Sequence, residues 1–175
     1  MRALFILLLS LALSNTFFSK VLLDDREIRD EAFKFAFFLP SDWRKNDIKT
    51  SKENVSISYS FKKDTTCTIM LLAFRIEAVK NMDDFIYYME KDVSLNIPTR
   101  SGDYSVKDFG TYDMKSAIYK DAQFIENIYY FRTKLDNAPY NYVYMLRFIT
   151  TNIYMNPDLE YQIKKISDSF LPTAE

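Results

Sequence analysis

The side chains that bring chemistry to this chain are few. Asp42, Trp43 and Arg44 stand side by side: a carboxylate, a large flat ring and a forked cation. Trp and Arg are enriched at interface hot spots, so this trio reads as a recognition edge, or as a ring that lids a core with its charges in solvent. Tyr129, Tyr130, Tyr140, Tyr142 and Tyr144 crowd the region before residue 150. Tyr couples apolar area to a polar tip, which suits a groove for a peptide, sugar or lipid and equally suits core filling. Cys67 lies between two threonines in an apolar run, away from any cation cluster that would make it a nucleophile. It reads as a small core residue. Asp103, Asp108 and Asp113 recur every five residues, the wrong spacing for a calcium loop, and read as solvated strand ends.

Absences restrict the chemistry further. The 175 residues contain no His, which removes Ser-His and Cys-His nucleophile pairs and most zinc sites. Gly occurs twice, at 102 and 110, too rarely for a phosphate-cradling loop. A single Cys forms no intramolecular disulfide. The formal charge is −1 and the basic residues are scattered, in pairs at most, as in Lys62-Lys63 and Lys164-Lys165. That is no electrostatic footprint for nucleic acid. No cofactor or metal set is legible, and no catalytic residue can be named.

The elements that would position these residues follow from patterning. Residues 1–14 carry Arg2 and then an apolar run, the form of a signal peptide, with small Ala12 and Ser14 spaced for cleavage after Ser14. An uncleaved anchor is the alternative, because Phe17, Phe18 and Val21 prolong the apolar character. Residues 15–30 read as a linker, and the charged stretch 24–32 as linker or short helix. Phe33, Phe35, Phe37 and Leu39 alternate on one face of a strand that Pro40 ends. This is expected to open a single antiparallel sheet. Residues 54–61 alternate Val, Ile, Tyr and Phe with Ser, and Lys62–Thr65 turns the chain. Residues 66–77 are apolar on both faces, as a mid-sheet strand requires. Asn81 caps a helix with Met82, Phe85, Ile86, Met89 and Val93 as its stripe. Strands are expected near 104–112, 114–120, 125–135 and 140–149, the last pair joined by a loop at 136–139. Asn156 and Pro157 start a closing helix with Leu159, Ile163, Ile166 and Phe170 buried, and residues 172–175 are a tail. Asn54-Val-Ser56 fits a glycosylation triplet that matters only in a eukaryotic source.

The order strand-Pro-x-x-Trp, hairpin, helix, meander and helix resembles the PsbP-like family over residues 31–171. The marks are Phe35-Ala-Phe-Phe-Leu-Pro-Ser-Asp-Trp43, the doubly apolar third strand, and Ile163-Lys-Lys-Ile-Ser-Asp-Ser-Phe170. The resemblance implies an α+β fold, an antiparallel β-sheet covered by helices on both faces (an α/β/α sandwich), in one domain. Members include an extrinsic photosystem II subunit, a nuclear-transport factor and many exported bacterial proteins. It therefore implies an accessory or binding module rather than an enzyme. The expectation is an exported, periplasmic or secreted module. Its partner is an envelope or extracellular protein or a small apolar ligand, met through Asp42, Trp43, Arg44, Tyr129, Tyr140, Tyr142 and Tyr144. A carrier of a hydrophobic ligand or lipid is the alternative, and a carboxylate-dependent hydrolase a further one.

Overall fold

Alternation of large rings with smaller or exposed residues makes Phe35–Pro40 (β2) a strand with one greasy face. The computed structural model describes residues 25–53, 55–76, 81–135 and 140–174. The signal segment 1–14, most of the linker, Asn54 and the 136–139 loop lie outside the described residues. Before β2 runs Asp25–Asp30 (β1), paired antiparallel with it. After it come Arg44–Thr50 (β3), Ser56–Lys63 (β4) and Cys67–Ile76 (β5). Helix Met82–Lys91 (α1) follows, then Thr99–Asp108 (β6), Tyr112–Lys120 (β7), Phe124–Thr133 (β8) and Asn141–Thr151 (β9). Helix Pro157–Asp168 (α2) and the short Leu171–Pro172 (β10) close the chain.

The strands form two sheets, a seven-stranded one in the order β3-β4-β5-β9-β8-β7-β6 and a three-stranded one in the order β1-β2-β10. Every pairing among the described strands is antiparallel. β5 lies inside the large sheet, as its two apolar faces required. The aromatic strand does not open that sheet, contrary to expectation. It belongs to the small one, because charged β1 takes its hydrogen-bonding edge, and its ring face packs onto the large sheet. Residues 25–30, expected as linker or short helix, are therefore part of the folded body. Asp25 pairs with Lys165 of α2 at 2.6 Å.

Two apolar clusters result. One joins Phe35, Phe37 and Leu39 to Ile69, Leu71 and Ala73 of β5, Leu146 and Phe148 of β9, and Leu159, Ile163 and Ile166 of α2. Phe170 is its hub, with ring centroids 5.8 Å from Phe35, 4.4 Å from Phe131 and 5.3 Å from Tyr144. The other joins Met82, Phe85 and Ile86 of α1 to Ala117, Ile128, Tyr130, Val143 and Met145. Neighbours such as Tyr144 and Met145 fall into different clusters, as side-chain alternation along a strand demands.

Both helices begin as their caps specify. Asn81 Oδ1 accepts from the Asp84 amide, and Asn156 Oδ1 from the Leu159 amide, each at 2.9 Å. α1 stops at Lys91 with Asp92 as its C-cap, so Val93 is exposed rather than part of the buried stripe. Gly110 adopts φ +81° in the turn between β6 and β7, a left-handed conformation natural to Gly.

Candidate functional site

Pro40 ends β2 and the chain reverses at once, the Trp43 amide donating to the Pro40 carbonyl at 3.0 Å. Trp43 is fully buried in the first cluster. Its Nε1 donates to Gln162 Oε1 of α2 at 3.2 Å, and its carbonyl accepts from Arg26 Nη2 of β1 at 2.9 Å. The ring therefore offers no surface to a partner. It is the peg that fixes the turn and so sets the directions of its neighbours Asp42 and Arg44, which are exposed.

Beyond the peg, Arg44 opens β3, an edge strand with all seven residues exposed. Arg44 lies directly across from Lys62 of β4, and Lys45 across from Phe61. The register then shifts, so Asn46 is an extra residue between Lys45 and Asp47. Such a bulge increases local twist and re-aims side chains. Asp42, Arg44, Lys45, Asn46, Lys62, Lys63 and Asp64 line a cleft of about 480 Å³.

The cleft carries four cations and two carboxylates. Asp42 is taken by Lys63 at 3.0 Å, and Lys63 also donates to Gln162 at 2.7 Å. Asp64 turns its carboxylate onto the Thr66 amide at 2.8 Å, which holds its carboxyl below the usual carboxylate range. Among the described residues, Arg44, Lys45 and Lys62 have no carboxylate within ion-pair distance. Arg44 and Lys62 thus stand opposite each other across the β3–β4 pair with neither ion-paired, in a protein whose formal charge is −1.

The tyrosines do not converge. Tyr144 is buried, and its hydroxyl donates to the carbonyls of Phe33 (3.0 Å) and Lys34 (2.8 Å), tying β9 to the β1–β2 turn. Tyr142 packs against the same cluster. Tyr140 lies beneath the Arg75 guanidinium, 5.1 Å from ring centroid to Cζ. Tyr130 falls in the α1 cluster, where burial pushes its hydroxyl up. Tyr129 alone among them lines a second groove of about 480 Å³, with Ile118, Asn127, Met155 and Ile163, open to solvent beside α2. Cys67 is buried and its thiol is pushed up to about 11 by that burial. Among the described residues no group of His, Cys, Asp or Glu side chains is placed to hold a metal ion, and no helix is long and apolar enough to cross a membrane.

Sequence reasoning missed Lys62 as the cross-strand partner of Arg44 and Lys63 as the ion-pair partner of Asp42. The signal was present as two basic pairs, Arg44-Lys45 and Lys62-Lys63, but only recognition of Arg44–Thr50 as a strand could bring them together. That segment has one large apolar residue, Ile48, and so lacks the alternation that marks a strand.

No protein-family model matches the chain, and no curated protein matches it. Solved structures do. Cyanobacterial PsbP (CyanoP) from Synechocystis is similar over 85% of this chain and 92% of its own, with TM-score 0.53 and 11% identity. LpqN of Mycobacterium tuberculosis is similar over 86% of this chain and 91% of its own, with TM-score 0.52 and 12% identity. The Saccharomyces cerevisiae Ran-binding protein Mog1p covers 85% of this chain and 95% of its own at TM-score 0.47 and 10% identity. At such identities the likeness to CyanoP and LpqN is one of architecture, and by it this chain has the PsbP-like fold, α+β with an antiparallel sheet and two helices.

Proposed function

We propose that the protein is an exported, non-enzymatic binding or accessory module that takes a protein partner along the free edge of β3 and the cationic cleft beside it. The observation that carries this reading is the pairing of a wholly exposed edge strand with Arg44, Lys45 and Lys62, which lack a counter-charge among the described residues. An exposed edge is a ready template for an incoming strand. In this reading residues 31–171, with β1, are one domain, an α/β/α sandwich in which α1 and α2 cover opposite faces of the large sheet. The signal-like segment 1–14 supports export to the periplasm or outside the cell. The similar LpqN is described as involved in cell envelope biogenesis, which accords with an envelope setting.

The test is capture from the native host with the tagged full chain, after fractionation to locate it. A protein retained by the wild type and lost from an Arg44→Glu, Lys62→Glu variant is expected. A chain found in the cytoplasm, or equal retention by both forms, overturns the reading.

A carrier of a small hydrophobic ligand is the second reading, favoured by the groove beside α2 with Ile118, Ile125, Tyr129, Met155 and Ile163. Native mass spectrometry of protein from its own host would show an apolar adduct that Ile118→Asp removes. A carboxylate-dependent hydrolase has less support. Asp42 and Asp64 of the cleft are already engaged, and Asp64 is held in its ionised form rather than as an acid.

A further inference from the structure

This inference rests on the edge-binding reading above. We infer that the segment taken by β3 is extended and acidic, adding as an eighth strand to the seven-stranded sheet and setting a carboxylate side chain beside Arg44, on the face that Arg44 shares with Lys62.

Like charges directly opposite across an antiparallel pair are destabilising. The Arg44–Lys62 pair is such a contact, and no carboxylate among the described residues lies within ion-pair distance of either cation. Lys63, one residue on, shows the ordinary solution, since Asp42 neutralises it at 3.0 Å. Along β3 itself Arg44, Lys45 and Lys49 outnumber Asp47, which already lies 3.3 Å from Lys49. The strand thus presents excess positive charge on a chain of −1, so the excess is local rather than a reflection of composition.

The opposite edge of the same sheet is different. On β6, Arg100 and Lys107 are matched by Asp103 and Asp108. Arg100 is also occupied, 3.4 Å from Glu90 and over the Tyr104 ring at 4.1 Å. Lysines on an edge strand ordinarily discourage pairing between copies of one chain. The same charges favour a partner strand of opposite sign, which both steers encounter and sets register. Backbone donors on β3 remain within reach: the Ile48 amide donates to its neighbour Asp47 Oδ1 at 2.9 Å, a contact an incoming carbonyl can replace.

The experiment uses the full chain and two fluorescent peptides of equal length, alternating Val with Glu or Val with Gln, read by anisotropy at low and high salt. Amide exchange on β3 is followed in parallel. Expected are binding of the Glu peptide, weakening by about tenfold for the Gln peptide and for Arg44→Gln, Lys62→Gln protein, and slowed exchange on β3. Ile48→Pro, a change tolerated on an edge strand, should abolish binding while leaving the far-UV spectrum unchanged. Equal affinity for both peptides overturns the acidic preference and leaves edge binding standing. Full displacement by inorganic phosphate with Ile48→Pro still binding overturns strand addition in favour of a simple anion pocket. No peptide binding, while the wild type still captures its native partner through Arg44 and Lys62, overturns this inference alone. Failure of both experiments removes the edge-binding reading with it.

Discussion

Arg147 and Glu126 meet in a two-pronged ion pair inside the protein, Nε to Oε2 at 2.7 Å and Nη2 to Oε1 at 2.6 Å, with both side chains almost wholly enclosed. The remaining prong, Nη1, donates to the Leu95 carbonyl at 2.7 Å, so the pair also ties the segment after α1 to the sheet. Every charge-bearing atom pointed inward is thereby answered, which is the condition for an ion pair to be tolerated in a core.

Removing one partner leaves the other buried and unanswered. Glu126→Leu or Arg147→Met alone is expected to cost about 3–5 kcal/mol, whereas the two together should recover much of it. Denaturant titration of the two singles and the double decides the matter. Additive losses would show that the pair is not coupled.

Phe37 is fully buried, 5.8 Å from Phe61 in an edge-on contact and 6.0 Å from Phe170. It joins the small sheet to the large one, so Phe37→Ala should cost on the order of 3–5 kcal/mol. A loss below about 1 kcal/mol in urea would show that the cavity closes and the two layers are not held by this ring.

Asp113 faces Arg132 at 2.6 Å and Lys134 at 2.7 Å. Partial burial raises its carboxyl, but hydrogen bonds and charge from Lys134 and Arg132 outweigh this and hold it below the ordinary range. Because the folded-state value is depressed, the contribution is complete above the unfolded value of about 3.9 and is lost as pH falls through the folded value. Stability should therefore decline below about pH 4, and Asp113→Asn should flatten that decline. The difference at neutral pH should be roughly 1 kcal/mol or less, since the pair is partly solvated. Thermal unfolding across pH 2 to 7 checks it; an unchanged slope in the variant would count against the assignment.

Cys67 should be inert. With its thiol pushed up to about 11, roughly one molecule in a thousand carries the thiolate at pH 8. Iodoacetamide labelling of the native chain is expected to be negligible beside that of the guanidinium-unfolded chain. Equal rates would place the thiol at the surface.

Much of this architecture was legible in the residues alone. The alternation of Phe35, Phe37 and Leu39, the doubly apolar Cys67–Ile76, and the Asn81 and Asn156 caps each state a local period or a local hydrogen bond, and each element formed where that signal lay. The alternation of Tyr142, Tyr144, Leu146 and Phe148 with Val143 and Met145 likewise assigned β9 correctly to two faces.

What the residues could not say is where polar strands go. β1 and β3 carry almost no apolar periodicity; they are strands because β2 and β4 offer them an edge, and that offer exists only once the sheets have formed. The same holds for the site. Trp43 became an internal peg because Gln162, far along the chain, came to meet its nitrogen, and Arg44 became part of a cationic cleft because pairing set it across from Lys62. Local periodicity determined the apolar elements of this protein, whereas only pairing between distant edges made strands of its polar segments and decided which charges would share a surface.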